Sequence, residues 1–486
     1  MSNDKARVLI LYTGGTIGMK NADESNPASP LKPVPDANDL IKGIPQLERI
    51  RESKVYFEIA KLKDRQGKDM KPLDSSEIRA EHWAAMARAI NEHYDDWDGF
   101  VLLHGTDTMA YTASALSFML MNLAKPVVVT GSQLSLTDIR TDGVQNLVNA
   151  LYVAGWKATG LPLVPEVTVC FADRLLRGNR VRKLSTSSWQ GFGTPNYPPI
   201  GEIGEHILIH ADRVLPPADN SSAPFFIREE LSPRVMEFGL FPGLNPRALK
   251  QVLELEEVQG VVLRTFGAGN APGDKDFLKI IGNAVKQGKV IVNVTQCPEG
   301  KVEAGLYEAS SGLLERGVIS GLDMTPEAAL TKLMCQLGYE KNREAVQLAM
   351  QIEQRGEQTE SLFEVRFPEI KKKEAADAVT VGAQPGSQFD RSLLSQAMLR
   401  AAGLKTGGKP AGKVKIFINS TSADRNTTDR DPGFAGRFDL KQPLYCDVTT
   451  AFRRVGTVSD RINITLVSEA GAPVTFESLS LALFTG

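Results

Sequence analysis

Residues Val8 to Gly18 read VLILYTGGTIG, an apolar run that stops at the paired glycines Gly14 and Gly15 and is followed by Thr16. An unbroken apolar run is typical of a parallel strand buried on both faces, and the glycines let the backbone turn where a side chain would clash. Ligands of open α/β sheets bind outside the carboxyl ends of the strands, so Thr16 is a candidate reactive hydroxyl. Taken alone, the short motif is better explained by an ordinary strand-to-loop turn.

Composition and charge exclude several classes of protein. The 486 residues are enough for about three domains. The 56 Lys and Arg residues against 58 Asp and Glu leave a formal charge of −2, which predicts neither a nucleic-acid nor a membrane partner. The polar start of the chain, Met1 to Arg7, predicts no secretory signal, and four widely separated cysteines indicate no zinc site and no disulfide framework. We expect a cytoplasmic protein without a bound metal.

Strand-like runs alternate with segments of helical periodicity after the first stretch, which predicts βαβ crossovers. We expect an α/β fold of two doubly wound α/β domains with mainly parallel sheets, followed by a small β-sandwich-like domain. The predicted divisions are an N-terminal α/β domain over 1–214, a linker over 215–234, a smaller α/β domain over 235–372, a flexible connector over 373–411 with one helix at Arg391–Ala402, and a β-rich extension over 412–486.

Two further stretches lie near the expected crevice. The segment from Asn21 to Asn38 is rich in Asn, Asp, Ser and Pro, which predicts a mobile surface loop that covers the turn as a lid. The stretch from His104 to Met109, HGTDTM, follows another apolar strand and places Thr106 and Asp107 at the same sheet edge as Thr16. Helix capping explains this second motif about as well as function does.

Together the two motifs resemble the two signature motifs of the L-asparaginase family. Four further stretches resemble its cytoplasmic type I branch: Asp74–Ile78, Thr130–Gln133, Arg140–Gly143 and Thr295–Gly300. The resemblance covers residues 1 to about 370 and leaves the tail outside. It implies conversion of L-asparagine to L-aspartate and ammonia through a threonine acyl-enzyme, without metal or organic cofactor, in a homodimer or a dimer of dimers.

The resemblance also implies which residues form the site. The catalytic set is Thr16, Thr106, Asp107 and Lys183, with Arg182 close enough in sequence to compete for the place of the lysine. We assign the first attack to Thr16 and a proton relay to the other three; the reverse division between the threonines stays open. Backbone N–H groups of the glycine turn are the expected oxyanion donors.

Residues implied to line the substrate pocket are Gly15, Asp74, Ser75, Ser76, Gly131 and Ser132. Asp74 with Glu77 also fits a capping pair for the helix around Trp83. Arg264 and Cys297 match an effector site of some type I enzymes, although ordinary strand-edge packing explains them better.

One departure from the family leaves alternatives open. Many relatives carry a tyrosine in the lid, whereas no tyrosine occurs here from Thr13 through Val55. The alternatives to an asparaginase are a glutaminase, including the tRNA-dependent amidotransferase relatives, and a non-catalytic protein that binds an amino acid. The lack of a basic tract disfavours a stable tRNA partner.

Overall fold

The chain forms two α/β domains and a β-sandwich in a computed structural model. The structure describes residues 5–23, 26, 29–36, 38–42, 44–218, 223–303, 312–368, 376–384, 394–409, 412–439, 444–455 and 461–485. In that part of the chain, no helix has the length and apolar character needed to cross a membrane.

The N-terminal domain is built on one large sheet with strand order β13-β12-β9-β8-β7-β5-β1-β4. Strands β4, β1, β5, β7 and β8 run parallel, and β9, β12 and β13 continue the sheet antiparallel. The strands of this domain are β1 Ala6–Tyr12, β2 Met19–Asn21, β3 Leu31–Pro33, β4 Val55–Lys61, β5 Gly99–Leu103, β6 Leu120–Met121, β7 Val127–Thr130, β8 Val167–Phe171, β9 Arg174–Arg177, β10 Arg182–Lys183, β11 Phe192–Gly193, β12 Gly201–Ile203, β13 Ile207–Ile209 and β14 Phe226–Ile227. The prediction of a mainly parallel sheet is confirmed.

Helices cover both faces of this sheet. They are α1 Asn38–Ile41, α2 Pro45–Ser53, α3 Ala80–Glu92, α4 Met109–Met119, α5 Gly143–Ala154 and α6 Trp156–Thr159. Leu9 and Leu11 of β1 lie in one apolar core with α3 and α4, whereas Val8 and Ile10 lie in the opposite core with α2 and α5. The first strand is therefore buried on both faces, which explains its continuous apolar sequence.

The second domain has the parallel strand order β15-β16-β17-β18. Its strands are β15 Val235–Gly239, β16 Gly260–Thr265, β17 Val290–Thr295 and β18 Ile319–Ser320, and its helices are α7 Pro246–Glu254, α8 Lys275–Lys286, α9 Pro326–Tyr339 and α10 Arg343–Gln351. Helices α7 and α8 pack on one face, and α9 and α10 pack on the other. The short strand β14, inside the predicted linker, pairs with β6 of the first domain.

The C-terminal sandwich consists of two antiparallel sheets, β19-β28-β21-β25 and β20-β26-β23-β24, around one shared apolar core. Its elements are β19 Ser361–Phe367, β20 Ala378–Ala383, β21 Leu394–Ala402, β22 Lys405–Thr406, β23 Lys413–Ile418, β24 Phe434–Asp439, β25 Leu444–Asp447, α11 Thr449–Arg454, β26 Ile462–Ser468, β27 Val474–Thr475 and β28 Ser478–Thr485. The prediction of a small C-terminal β-sandwich is confirmed, but the sandwich is larger than the predicted 412–486, and its first strand, β19, lies inside the range predicted for the second α/β domain, 235–372.

The segment predicted as a flexible connector, 373–411, contributes strands to this sandwich where the structure describes it, so that prediction was wrong there. The helix predicted at Arg391–Ala402 was also wrong, because Leu394–Ala402 is a strand. Leu399 and Ala401 face the sandwich core, while Met398 packs outward against the second domain. The run Ala397, Met398 and Leu399 is apolar on both faces of the strand, which hides the period of two that would have identified it.

The predicted lid begins in a hairpin. Strand β2 pairs antiparallel with β3, and the N–H of Val34 donates to the Gly18 carbonyl at 2.9 Å. Residues 24, 25, 27 and 28 between the two strands, and residue 37 after them, lie outside the described residues. The prediction of a loop over Asn21–Asn38 was therefore wrong at Asn21, which ends β2, and at Leu31–Pro33, which forms β3.

Candidate active site

Two strand-to-loop turns meet at the carboxyl edge of the first sheet. Strands β1 and β5 are neighbours, and the Thr13 N–H donates to the Leu103 carbonyl at 3.0 Å. Gly15 has φ of 85°, and a Cβ added there would lie 2.2 Å from the backbone nitrogen of Gly105. The turns that carry Thr16 and Thr106 therefore contact each other through glycine backbone.

Lys183 joins the second turn from a distant part of the chain. Its Nζ donates to Thr106 Oγ1 at 2.8 Å and to Asp107 Oδ1 at 2.6 Å. The lysine lies on β10, which pairs with β11. Its side chain is 19% exposed, and that of Asp107 is 62% exposed, so the group opens to solvent on the aspartate side. The neighbouring Arg182 instead forms an ion pair with Glu327 at 3.4 Å.

Thr16 begins a short 3₁₀ turn, Thr16–Gly18, and is half-buried. Its hydroxyl makes no hydrogen bond to the residues that the structure describes. The Tyr12 hydroxyl donates to the Gly18 carbonyl at 3.2 Å and so holds the end of this turn. Burial raises the pKa of Tyr12. The N–H of Gly15 donates to the Leu73 carbonyl at 3.0 Å. Among the N–H groups of the glycine turn that were predicted as oxyanion donors, this one is therefore already occupied.

Asp74, Ser75 and Ser76 lie directly after Leu73, against the two turns. Asp74 Oδ1 accepts hydrogen bonds from the N–H and the hydroxyl of Ser76, at 2.9 and 2.8 Å. This arrangement caps the 3₁₀ turn Ser75–Glu77, not helix α3, which begins at Ala80. Ser75 is buried, and its carbonyl accepts from the Thr108 hydroxyl at 2.7 Å, so the segment is held to the second turn.

Gly131 and Ser132 follow strand β7, the next strand of the sheet. Ser132 is 1% exposed and its hydroxyl donates to the Leu134 carbonyl. Two residues that sequence reasoning did not assign to the site hold this loop. Asp142 accepts from the N–H of Gln133 at 3.0 Å, and Asn146 donates to the Gly131 carbonyl at 2.9 Å.

His104 is a further residue that the sequence did not single out. It is fully buried, its Nδ1 lies 2.7 Å from the Gly105 carbonyl, and its Nε2 lies 2.8 Å from Thr112 Oγ1. A carbonyl only accepts, so Nδ1 carries the proton and Nε2 accepts from the Thr112 hydroxyl, whose oxygen in turn accepts from Trp83 Nε1 at 2.9 Å. Burial lowers the pKa of His104 to about 4, so the ring is neutral and fixes the start of the second turn.

The two residues of the expected effector site lie on the second domain. Arg264, on β16, pairs with Glu237 at 3.0 Å, and Cys297 follows β17 and is exposed. Across the described part of the chain, no three His, Cys, Asp or Glu side chains are grouped so that they could hold a metal ion.

Comparison with known proteins identifies the family of this chain. The family model for the asparaginase N-terminal domain matches residues 7–215, and that for the glutaminase/asparaginase C-terminal domain matches 234–350. L-asparaginase 1 of Escherichia coli K12 is 42% identical over 357 residues, which is 73% of this chain and 98% of the relative. This chain belongs to the asparaginase family. The predicted resemblance, including its type I branch, is confirmed.

Solved asparaginase structures share the fold. L-asparaginase I from Vibrio cholerae matches with a TM-score of 0.63 and 38% identity, over 73% of this chain and 99% of that structure. The L-asparaginase of Thermococcus kodakarensis matches with the same TM-score and 34% identity, over 73% and 99%. Both family models end before β19, so the C-terminal sandwich lies outside them.

Proposed function

We propose that this protein hydrolyses L-asparagine to L-aspartate and ammonia through a threonine acyl-enzyme. The observation that carries the proposal is the contact of Lys183 with both Thr106 and Asp107 at the turn that touches Thr16. A hydroxyl is a weak nucleophile and needs a neighbouring base when it attacks an amide carbon. Membership of the asparaginase family supports the amide of asparagine as the bond that breaks.

We assign the first attack to Thr16. Its hydroxyl is not engaged by the described residues, whereas the Thr106 hydroxyl already accepts from Lys183. As the Thr16 oxygen bonds to the amide carbon, its proton passes to the group formed by Thr106 and Lys183. The C–N bond then breaks, and the leaving nitrogen takes this proton from the Thr106–Lys183 group and departs as ammonia.

Water completes the reaction. The Thr106–Lys183–Asp107 group removes a proton from water as it attacks the acyl ester, which releases aspartate and restores the Thr16 hydroxyl. Each attack places negative charge on the substrate oxygen, which needs donors that are already oriented. The N–H of Gly15 is occupied, so we assign this role to the other N–H groups of the two turns.

The substrate's charged end is assigned to Asp74, Ser75 and Ser76. Asp74 is exposed and uses only its Oδ1 to cap the turn, which leaves Oδ2 for the α-ammonium group. The N–H and the hydroxyl of Ser75 are not engaged by the described residues, and we assign them to the α-carboxylate. We place the amide end against Gly15, Gly131 and Ser132, which follow β1 and β7, the two strands on either side of β5.

Ammonia release from purified protein tests the proposal. We expect turnover of L-asparagine that disappears in Thr16→Ala. L-glutamine in the same assay separates an asparaginase from a glutaminase, since only the preferred amide gives the larger kcat/KM. Calorimetric binding of asparagine without turnover would instead indicate a non-catalytic binding protein.

We further propose that the reaction needs no metal or organic cofactor and takes place in the cytoplasm, in a homodimer or a dimer of dimers. Dialysis against EDTA should leave the activity unchanged, and sedimentation measures the assembly.

Arg264 and Cys297 remain candidates for an effector site. We also propose that the first domain ends near residue 214 and the second begins near residue 235, on either side of β14.

A further inference from the structure

Arg180 is among the largest side chains that are fully buried in this protein, with 2% exposure. Its guanidinium donates from Nη1 to Asp323 Oδ2 at 2.7 Å, from Nε to the Gly356 carbonyl at 2.6 Å and from Nη2 to Thr359 Oγ1 at 3.3 Å. A buried arginine is tolerated only when paired and hydrogen-bonded, and here all three nitrogens have acceptors. This arginine therefore joins the first domain to two separate segments of the chain.

The position of Arg180 is three residues before Lys183. Arg180 ends the short turn Gly178–Arg180. The next residue, Val181, is fully buried in the core. Asn179 of the same turn donates to the Arg355 carbonyl at 2.8 Å. The turn from which the lysine strand β10 departs is thus fixed by side-chain bonds to residues 355–359, not by the large sheet alone.

The other side of this contact leads into the C-terminal sandwich. Thr359 donates from its N–H and its hydroxyl to the two oxygens of Asp323, at 2.8 and 2.5 Å, and two residues later strand β19 begins. Leu322, next to Asp323, packs in one apolar cluster with Met398 and Phe484 of the sandwich. Of the two segments that hold Arg180, the one with Thr359 therefore runs into the first strand of the sandwich, and the one with Asp323 lies next to a residue that packs against the sandwich.

We propose that Arg180 is a positioning residue for Lys183, and that Asp323 and Thr359 hold it in place. The inference rests on the proposed role of Lys183 as a proton carrier. Loss of these bonds would let the turn move and displace Lys183 Nζ from Thr106, and a displacement of about 1 Å costs on the order of 100-fold in rate. Substrate binding by Asp74 and Ser75 would not change, because they lie on a different segment.

Two conservative variants test this in the full-length protein. Arg180→Lys keeps the charge beside Asp323 but loses the planar set of donors, and Thr359→Val removes one hydroxyl at nearly constant volume. We expect kcat to fall about 10-fold in the first and about 3-fold in the second, with KM within about 2-fold of the wild type. Leu253→Ala is the control, because it destabilises the core of the second domain at a residue with no part in the Arg180 contacts.

A second readout does not depend on the reaction. Brief acetylation by acetic anhydride, quantified at Lys183 by mass spectrometry, should be faster in Arg180→Lys than in the wild type and unchanged in Leu253→Ala. Unchanged kcat and unchanged Lys183 acetylation in both variants would overturn the inference, as would an equal loss of kcat in Leu253→Ala. A wild type that does not hydrolyse asparagine would instead refute the proposed function, and the acetylation comparison would still decide the role of Arg180.

Discussion

Gly15 and Gly105 contact each other through their backbones, at a separation that leaves no room for a side chain on Gly15. Each is followed by a threonine, so this contact sets how closely Thr16 and Thr106 approach. The paired glycines in the first motif therefore have two functions. Gly14 and Gly15 both adopt a positive φ after β1, and Gly15 lets two hydroxyl-bearing turns of neighbouring strands come together.

Substitution Gly15→Ala should abolish most of the activity. The new Cβ would lie 2.2 Å from the Gly105 nitrogen, and the turns must separate to accommodate it. We expect kcat/KM for asparagine to fall at least about 100-fold, as for other small displacements of reacting groups. Gly160→Ala is the matched control, since Gly160 has φ of 78° but nothing within 4 Å of an added Cβ. Equal activity in the two variants would show that contact between the turns is not needed.

Lys183→Met should reduce kcat on the order of 1000-fold, because general-base catalysis contributes roughly that factor. Lys157→Met provides the control. That lysine makes a contact of the same length, 2.6 Å, with Asp98 elsewhere in the first domain, and its side chain is 55% exposed. Steady-state ammonia release measures both variants. A Lys183→Met enzyme with more than a tenth of the wild-type kcat would contradict the proton-transfer role.

His104 should make the first domain less stable in mild acid. Its pKa is lowered from 6.5 to about 4 by burial, so between these values the unfolded chain binds a proton that the folded chain excludes. The stabilisation of the folded state by the neutral ring is fully present above pH 6.5 and is lost as the pH falls toward 4. The free energy of unfolding falls by about 3 kcal/mol in total. Urea unfolding of wild type and His104→Gln between pH 7.5 and 4.5 measures it. The acid destabilisation should be smaller in the variant; parallel curves would contradict a neutral buried ring.

Ending the chain after Glu360 removes every strand of the sandwich but keeps the residues that bind Arg180. The apolar cluster formed by Leu314, Leu322 and Leu348 loses its cover, so we expect aggregation at concentrations where the full chain is dispersed. In the dispersed fraction, kcat should stay within about 10-fold of the full-length value, since the Arg180 hydrogen bonds are retained. Light scattering and ammonia release report the two effects. A dispersed fraction without activity would show that the sandwich itself contributes to the site.

The sequence predicted the parts of the site that depend on local pattern. An apolar run ended by glycines identified β1, and the shared carboxyl edge of a parallel sheet placed Thr16 and Thr106 together. Lys183 was found only through the family resemblance, because a lone lysine carries no local signal of its contacts. His104 and Asp142 were missed although the partners Thr112 and Gln133 lie only eight and nine residues away, because no sequence pattern links a loop residue to the helix beside it. Arg180 was missed because its acceptor Asp323 is distant in sequence.

The error in the C-terminal region has a different cause. Around Met398 the strand Leu394–Ala402 is apolar on both faces, because Leu399 and Ala401 fill the sandwich and Met398 contributes to the cover of the second domain. Sequence periodicity cannot distinguish such a strand from a short buried helix. The docking of the sandwich on the α/β domain was therefore not predictable from the residues of either part alone.

The most direct test of the account is the release of ammonia from L-asparagine by purified wild-type protein and by Thr16→Ala, compared at equal concentrations of folded protein. The proposed mechanism predicts clear turnover in the wild type and a loss on the order of 10,000-fold in the variant, the effect expected when a covalent nucleophile is removed. Wild-type protein that releases no ammonia, or a Thr16→Ala variant with wild-type turnover, would contradict it.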